Sequence, residues 1–290
     1  MQEPGTLADV LPLEDEAGDI LAKARSGLGM ERPELASALG VPESVIIAWE
    51  ALTVPIPADH AERLARLLDL RPGAFTALAT GTWQPEPVDE PEDGWQTLRF
   101  TLSATPGGYT SNTWIVIHPD RQAAWLVDPG FRPEVPEAWL RRHGVVLRGI
   151  LVTHGHRDHV GGARWLAQET GTDVWLHPAD HALAQSSGAD GPFHDPRDLR
   201  HAEVGLLATP GHTAGGTTWR IGDRLFPGDT MFAASLGRTF GGPADHPEHR
   251  RSLHLLLEQP PETLLLPGHG PATTAARERM RNPFAPARPD

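Results

Sequence analysis

The chain has 290 residues, 39% of them hydrophobic, with 38 acidic against 25 basic side chains and a formal net charge of −13 at pH 7. That length accommodates one large and one small domain, each with its own core, and the absence of cysteine excludes disulfides, thiolate metal sites and thiol nucleophiles. The acidic balance argues against the basic footprint that nucleic-acid binding needs.

Residues 1–16 read as an acidic tail. MQEPGTLADVLPLEDE has no basic segment leading into an apolar one, so no export signal is expected. No run in the chain approaches the roughly 18 apolar residues of a membrane span, and a cytoplasmic protein without membrane contact is the expectation.

Over residues 17–80, Ile20, Leu21, Leu35, Leu39, Val45, Ile46, Trp49, Leu64, Leu67, Leu68 and Phe75 recur at helical spacing between Gly- and Pro-containing breakers. The pattern predicts about five short helices and no strand. Within it, ELASALGV followed by PESVIIAWE resembles a Cro/repressor-type helix-turn-helix, the second segment standing where the recognition helix would be. Its chemistry is wrong for reading bases. Residues 1–80 hold six bases against thirteen acids, and residues 41–54 hold no Lys or Arg. The module is therefore expected not to bind DNA but to fix a homodimer or cover the downstream domain, with Val45, Ile46 and Ile47 buried against a partner or that domain. A transcriptional regulator whose downstream domain senses a ligand is the competing reading.

GTWQPEPVDEPEDGW, residues 81–95, is rich in Pro and acids and reads as an extended, self-repelling linker. Residues 96–290 then alternate short runs rich in Val, Ile, Leu, Trp and Thr with helix-like stretches near 133–143, 160–170, 178–185, 246–258 and 273–281. Strands mixed with helices over this length predict a single layered α/β domain.

One turn of that domain concentrates ligand-type side chains. THGHRDHVGG, residues 153–162, follows the apolar run RGILVT, where a sheet ends in a loop and alternate side chains can converge on one point. His154 and His156 can face one metal ion, Asp158 and His159 another. TPGHT, FPGDT and LPGHGP add His212, Asp229 and His269, each after its own strand-like run. A solvated histidine-rich turn would not bring ligands from three further loops.

HxHxDH followed by GHT, GDT and PGHG in this order resembles the metallo-β-lactamase-fold hydrolases over residues 96–290. The resemblance implies an αββα sandwich preceded by the small all-α domain. It also implies His154, His156 and His212 at one metal, Asp158, His159 and His269 at the second, and Asp229 bridging, with Asp158 and Asp229 as the catalytic carboxylates. Two divalent ions about 3.5 to 4 Å apart can share a water, lower its pKa toward ~7 and polarise a carbonyl. Imidazole and carboxylate ligands suit Zn, Fe or Mn; zinc is the default, with iron or manganese open. Asp128, in LVDPG, resembles a position that supports the ligand loop from behind, and a plain Asp-Pro-Gly turn is the alternative.

The stretch from Gly228 to His246, together with a tail carrying Thr273, Thr274, Glu278, Arg279, Asn282, Pro283 and Phe284, is similar to glyoxalase II and its shorter bacterial relatives. That similarity implies hydrolysis of an acyl thioester, with Arg238 and Phe240 toward the thiol part of the substrate. Two alternatives stay open. One is a persulfide dioxygenase with a single iron on His154, His212 and Asp229. The other makes Arg238 a loop cap.

Overall fold

The computed structural model describes residues 2–286. Five helices come first: α1 (Ala17–Gly27), α2 (Arg32–Leu39), α3 (Glu43–Glu50), α4 (Ala58–Leu67) and α5 (Pro72–Ala79). The Asp19 carboxylate accepts the Glu16 N–H at 3.0 Å, satisfying a free donor at the start of α1. Gly40 ends α2 in the left-handed region, at φ 72°, as a C-terminal glycine does.

The rest of the chain forms two packed sheets. The first runs β1 (Gln96–Ser103), β2 (Thr110–Ile117), β3 (Ala123–Val127), β4 (Val146–Leu151), β5 (Val174–Trp175) and β6 (Phe193–His194) in spatial order. The second contains β7 (Val204–Ala208), β8 (Thr217–Ile221), β9 (Arg224–Gly228), β12 (Leu264–Pro267) and β13 (Thr273–Thr274), ordered β13-β12-β9-β8-β7. A two-stranded ribbon, β10 (Met231–Phe232) with β11 (Ser235–Leu236), follows β9. The remaining helices are α6 (Glu134–His143), the one-turn α7 (Arg157–Val160), α8 (Ala163–Thr170), α9 (His181–Ser186), α10 (His246–Leu257) and α11 (Ala275–Arg281).

Strand alternation sets the layers. On β2, Trp114 and Val116 face Trp219, Phe226 and Leu266 of the other sheet, whereas Ile115 and Ile117 join Trp139 and Leu166 under α6 and α8. On β12, Leu264 and Leu266 point between the sheets while Leu265 faces outward with Leu253 and Leu256 of α10. The result is an αββα sandwich, as expected.

The helical module continues the outer layer. Ile20, Leu35, Ile46, Trp49, Leu64 and Phe75 share one apolar cluster with Leu225, Met231, Leu236, Leu253 and Phe284. The run on α3 expected to be covered as a whole divides: Ile46 is fully buried in this shared core, Val45 packs partly against it, and Ile47 alone of the three is exposed. Residues 81–95 contain no helix or strand, yet they are not free of the body. Val88 is buried, and Glu90 and Asp93 both accept from the guanidinium of the fully buried Arg224, at 2.7 and 2.6 Å. Self-repulsion of the acidic run is offset by that cation. No helix among the described residues is long and apolar enough to cross a membrane.

Candidate metal centre

β3 and β4 run parallel in the first sheet, and β9 and β12 parallel in the second, so their C-terminal ends meet at one edge of the sandwich. Every residue expected at the centre follows one of these ends or that of β7. Cross-sheet hydrogen bonds fix the loops: Thr217 N–H donates to the Thr153 carbonyl (2.9 Å), and Asn112 N–H to the Gly268 carbonyl (2.7 Å). At Gly268 the backbone runs close against the ligand side chains. A Cβ there would lie 2.4 Å from His159 Cε1 and 2.6 Å from Asp229 Oδ1.

The seven side chains converge. Ligand atoms of His154, His156 and His212 lie within 4.8 Å of one another, as do those of Asp158, His159 and His269, and those of His154, His159 and Asp229. Asp229 stands between the groups: Oδ2 is 3.6 Å from His212 Nε2, and Oδ1 is 3.3 and 3.5 Å from Nε2 of His159 and His269. His269 Nε2 lies 3.2 Å from Asp158 Oδ2, and His156 Nδ1 lies 3.0 Å from His212 Nε2.

For three of the rings the far side shows which nitrogen faces the centre. Nδ1 of His159 sits 2.9 Å from Asp128 Oδ2, that of His212 is 2.7 Å from the Arg238 carbonyl, and that of His269 is 2.6 Å from the Thr110 carbonyl. Each Nδ1–H donates to an oxygen acceptor, which leaves the Nε2 lone pair aimed inward. His154 Nε2 and Asp229 Oδ1 are buried without a hydrogen-bond partner. Buried acceptors without a partner are costly unless a cation lies beside them. This donor set therefore fits bound divalent metal.

Electrostatics agrees. Burial holds His154 and His156 below the ordinary histidine range and His212 down to about 4, keeping these imidazoles neutral as ligation requires. Burial also opposes protonation of His159, but Asp229, Asp158 and Asp128 outweigh it and push its pKa well up. For Asp158 and Asp229 burial acts upward, and the neighbouring histidines, His159 for Asp158 and His269 for Asp229, bring both carboxyls well below the usual range. Three carboxylates around these imidazoles form an environment that calls for positive charge.

Asp128 does more than turn the chain. In the left-handed region at φ 55°, it accepts Thr153 N–H and Oγ1–H, both at 2.8 Å, besides meeting His159. Asp180 was not foreseen. Its buried carboxylate accepts Gly155 N–H (2.9 Å), Thr213 Oγ1–H (2.8 Å) and Gly215 N–H (2.7 Å), tying the His154 loop to the His212 loop. No motif marks it, because its partners lie 25 to 35 positions away.

The centre opens into a cleft of about 510 Å³. Phe240, 66% exposed, stands on its rim with ring centroids 4.9 Å from His156 and 5.4 Å from His212. The exposed Arg238 lines the same cleft. Across the mouth is Tyr109, the one tyrosine of the chain, stacked 6.4 Å from His269; it lies in the TPGGY turn between β1 and β2. Glu14, Asp15 and Lys23, from the tail and α1, also line it, with Arg157 and Ser187.

Comparison with known proteins gives a consistent picture. The sequence pattern described as the Metallo-beta-lactamase superfamily matches residues 106–269. A hydroxyacylglutathione hydrolase of Shewanella sp. (strain ANA-3) is 34% identical over 186 residues, covering 59% of this chain and 66% of that protein. The chain spans two thirds or less of the length of the hydroxyacylglutathione hydrolases it matches. Among solved structures, TTHA1623 in a di-iron-bound form is 33% identical with a TM-score of 0.56, covering 64% of this chain and 98% of that one. The BLEG-1 B3 metallo-beta-lactamase is 30% identical with a TM-score of 0.54, covering 65% and 99%.

Proposed function

The chain belongs to the metallo-β-lactamase superfamily, and from that premise we propose that it hydrolyses an acyl thioester at a dinuclear metal centre. The observation that carries the reading is the convergence of seven side chains with His154 Nε2 and Asp229 Oδ1 buried and unpartnered. His154, His156 and His212 would hold one ion and Asp158, His159 and His269 the other, with Asp229 shared. Divalent ions so held supply a water ionised near neutral pH and polarise a carbonyl oxygen.

The protein's own groups do the positioning. Asp128, the Arg238 carbonyl and the Thr110 carbonyl lock three ring orientations, while Asp180 fixes the spacing of two ligand loops. Phe240 and Tyr109 flank the mouth and can bracket an acyl group. Hydrolysis forms a carbon–oxygen bond from water and breaks the carbon–sulfur bond, so carboxylate and thiol leave. The similarity to hydroxyacylglutathione hydrolases supports a thioester, and the di-iron form of TTHA1623 supports a paired site that iron can occupy.

A single-iron persulfide dioxygenase on His154, His212 and Asp229 would leave Asp158, His159 and His269 converging for no purpose. Assay of Zn, Fe and Mn forms with acyl thioesters and with glutathione persulfide separates the two. Thioester hydrolysis without oxygen uptake is expected, and persulfide-dependent oxygen uptake alone would overturn the proposal.

A further inference from the structure

Beside the catalytic cleft lies a second groove of about 280 Å³ between α1, the start of α2 and the loop 236–239. Lys23 and Arg238 line both cavities, so the groove continues the cleft. Its walls carry four bases, Lys23, Arg25, Arg32 and Arg238, against one acid, Asp19, in a chain whose net charge is −13. Such local reversal of sign concentrates anions.

The donors are only partly used. Arg25 is committed to Glu50 and the Met30 carbonyl, and Asp19 to the Glu16 N–H. Arg32 spends only Nε, on Glu50 at 2.6 Å, and its side chain is 45% exposed. The Arg238 side chain has no hydrogen bond or ion pair among the described residues. Lys23 Nζ donates to Asp15 and to the Leu236 carbonyl (2.8 Å), which leaves one proton, and it lies 4.9 Å over the Phe232 ring. That ring is edge-on to His269, with centroids 5.4 Å apart, and the Arg238 carbonyl orients His212. An occupant of the groove is thus one side chain away from the metal ligands.

We infer that this groove receives the anionic thiol carrier of the substrate, so that the helical module forms a wall of the active site; this rests on the thioester reading above. The acyl carbonyl lies at the metal centre and a carboxylate- or phosphate-bearing tail extends along α1. Arginine forks suit either anion. This gives the module a role other than reading DNA: three of its bases, Lys23, Arg25 and Arg32, line the groove, while α3 exposes Glu43, Ser44 and Ile47.

The test uses one acyl group on three carriers: glutathione with its carboxylates, coenzyme A with its phosphates, and neutral N-acetylcysteamine. Ser26→Glu places a like charge on the exposed groove wall, and Arg32→Gln removes a free fork; neither touches a metal ligand. Each variant should raise KM about three- to tenfold for the preferred anionic carrier. The neutral carrier and kcat should be unchanged, and the effect should shrink in high salt. Which anionic carrier responds identifies carboxylate or phosphate. Equal effects on all three carriers, or none, would overturn the inference. Calorimetric binding of free glutathione and free coenzyme A to wild type and Ser26→Glu gives a readout independent of turnover. Weaker binding to the variant in a protein that hydrolyses no thioester would sink the thioester reading and keep the groove. Hydrolysis of all three carriers with unaltered binding would do the reverse.

Discussion

Nδ1 of the buried His159 lies 2.9 Å from Oδ2 of the buried Asp128. The same carboxylate holds the Thr153 amide, so one side chain sets both a ring tautomer and the start of the ligand loop. Asp128→Asn has one carbonyl oxygen for these duties and cannot accept for all of them. Metal affinity should fall about 10- to 100-fold with the fold intact, measured by competition with a chelator. An unchanged affinity would remove Asp128 from the account.

Gly268→Ala tests the close approach of backbone to the centre. Its methyl would lie 2.4 Å from His159 Cε1, in a core too dense to yield. Far-ultraviolet circular dichroism should stay native while metal content drops below that of wild type. Full metal occupancy would show that the ligand geometry is looser than described.

Arg224 tests whether residues 81–95 are pinned to the body. Its guanidinium, wholly buried, meets Glu90, Asp93 and the Thr97 hydroxyl. Arg224→Met should destabilise by on the order of 2 kcal/mol, below the value for a fully buried pair because both carboxylates are partly exposed. Denaturant unfolding and protease cleavage within residues 81–95 report the two consequences. Neither change would be seen if the segment were a free linker.

Glu278 gives a pH signature away from the metal ligands. Burial raises its pKa to about 7, against the opposing donors Ala234 N–H, Thr273 Oγ1–H and Asn282 Nδ2–H. A carboxyl whose folded pKa is raised favours the folded state most below its ordinary value near 4.5, and that contribution is lost as pH rises through about 7. Glu278→Gln lacks this titration. Relative to wild type the variant should gain stability between pH 5 and 8, by up to about 3 kcal/mol. A constant difference between the two across that range would show that Glu278 does not titrate there.

Much of this was legible in the sequence for a physical reason. Ligands at strand ends must follow apolar runs, and His154, His156, Asp158, His159, His212, Asp229 and His269 each sit in a short motif at such an end. The αββα sandwich was implied by the resemblance those motifs carry, whereas the alternation of strands and helices by itself predicts only a layered α/β domain. What the sequence hid depends on long-range contacts. β6, β10, β11 and β13 are two-residue strands with no periodicity to read. Asp180 and Tyr109 gain meaning only from distant partners. The run Val45-Ile46-Ile47 looked like one patch because periodicity does not say which face of α3 meets α1 and α2. The acidic segment 81–95 looked repulsive because its counter-charge, Arg224, lies 131 positions beyond Asp93.

The central claim is a paired metal site that serves thioester hydrolysis, and titration of metal-free protein with Zn, Fe or Mn while following thioester cleavage addresses it most directly. Activity should rise until two ions per chain are bound, and Asp229→Ala should lose far more in kcat than in KM at the same loading. Saturation at one ion, or an Asp229→Ala variant with near wild-type turnover, would contradict the account.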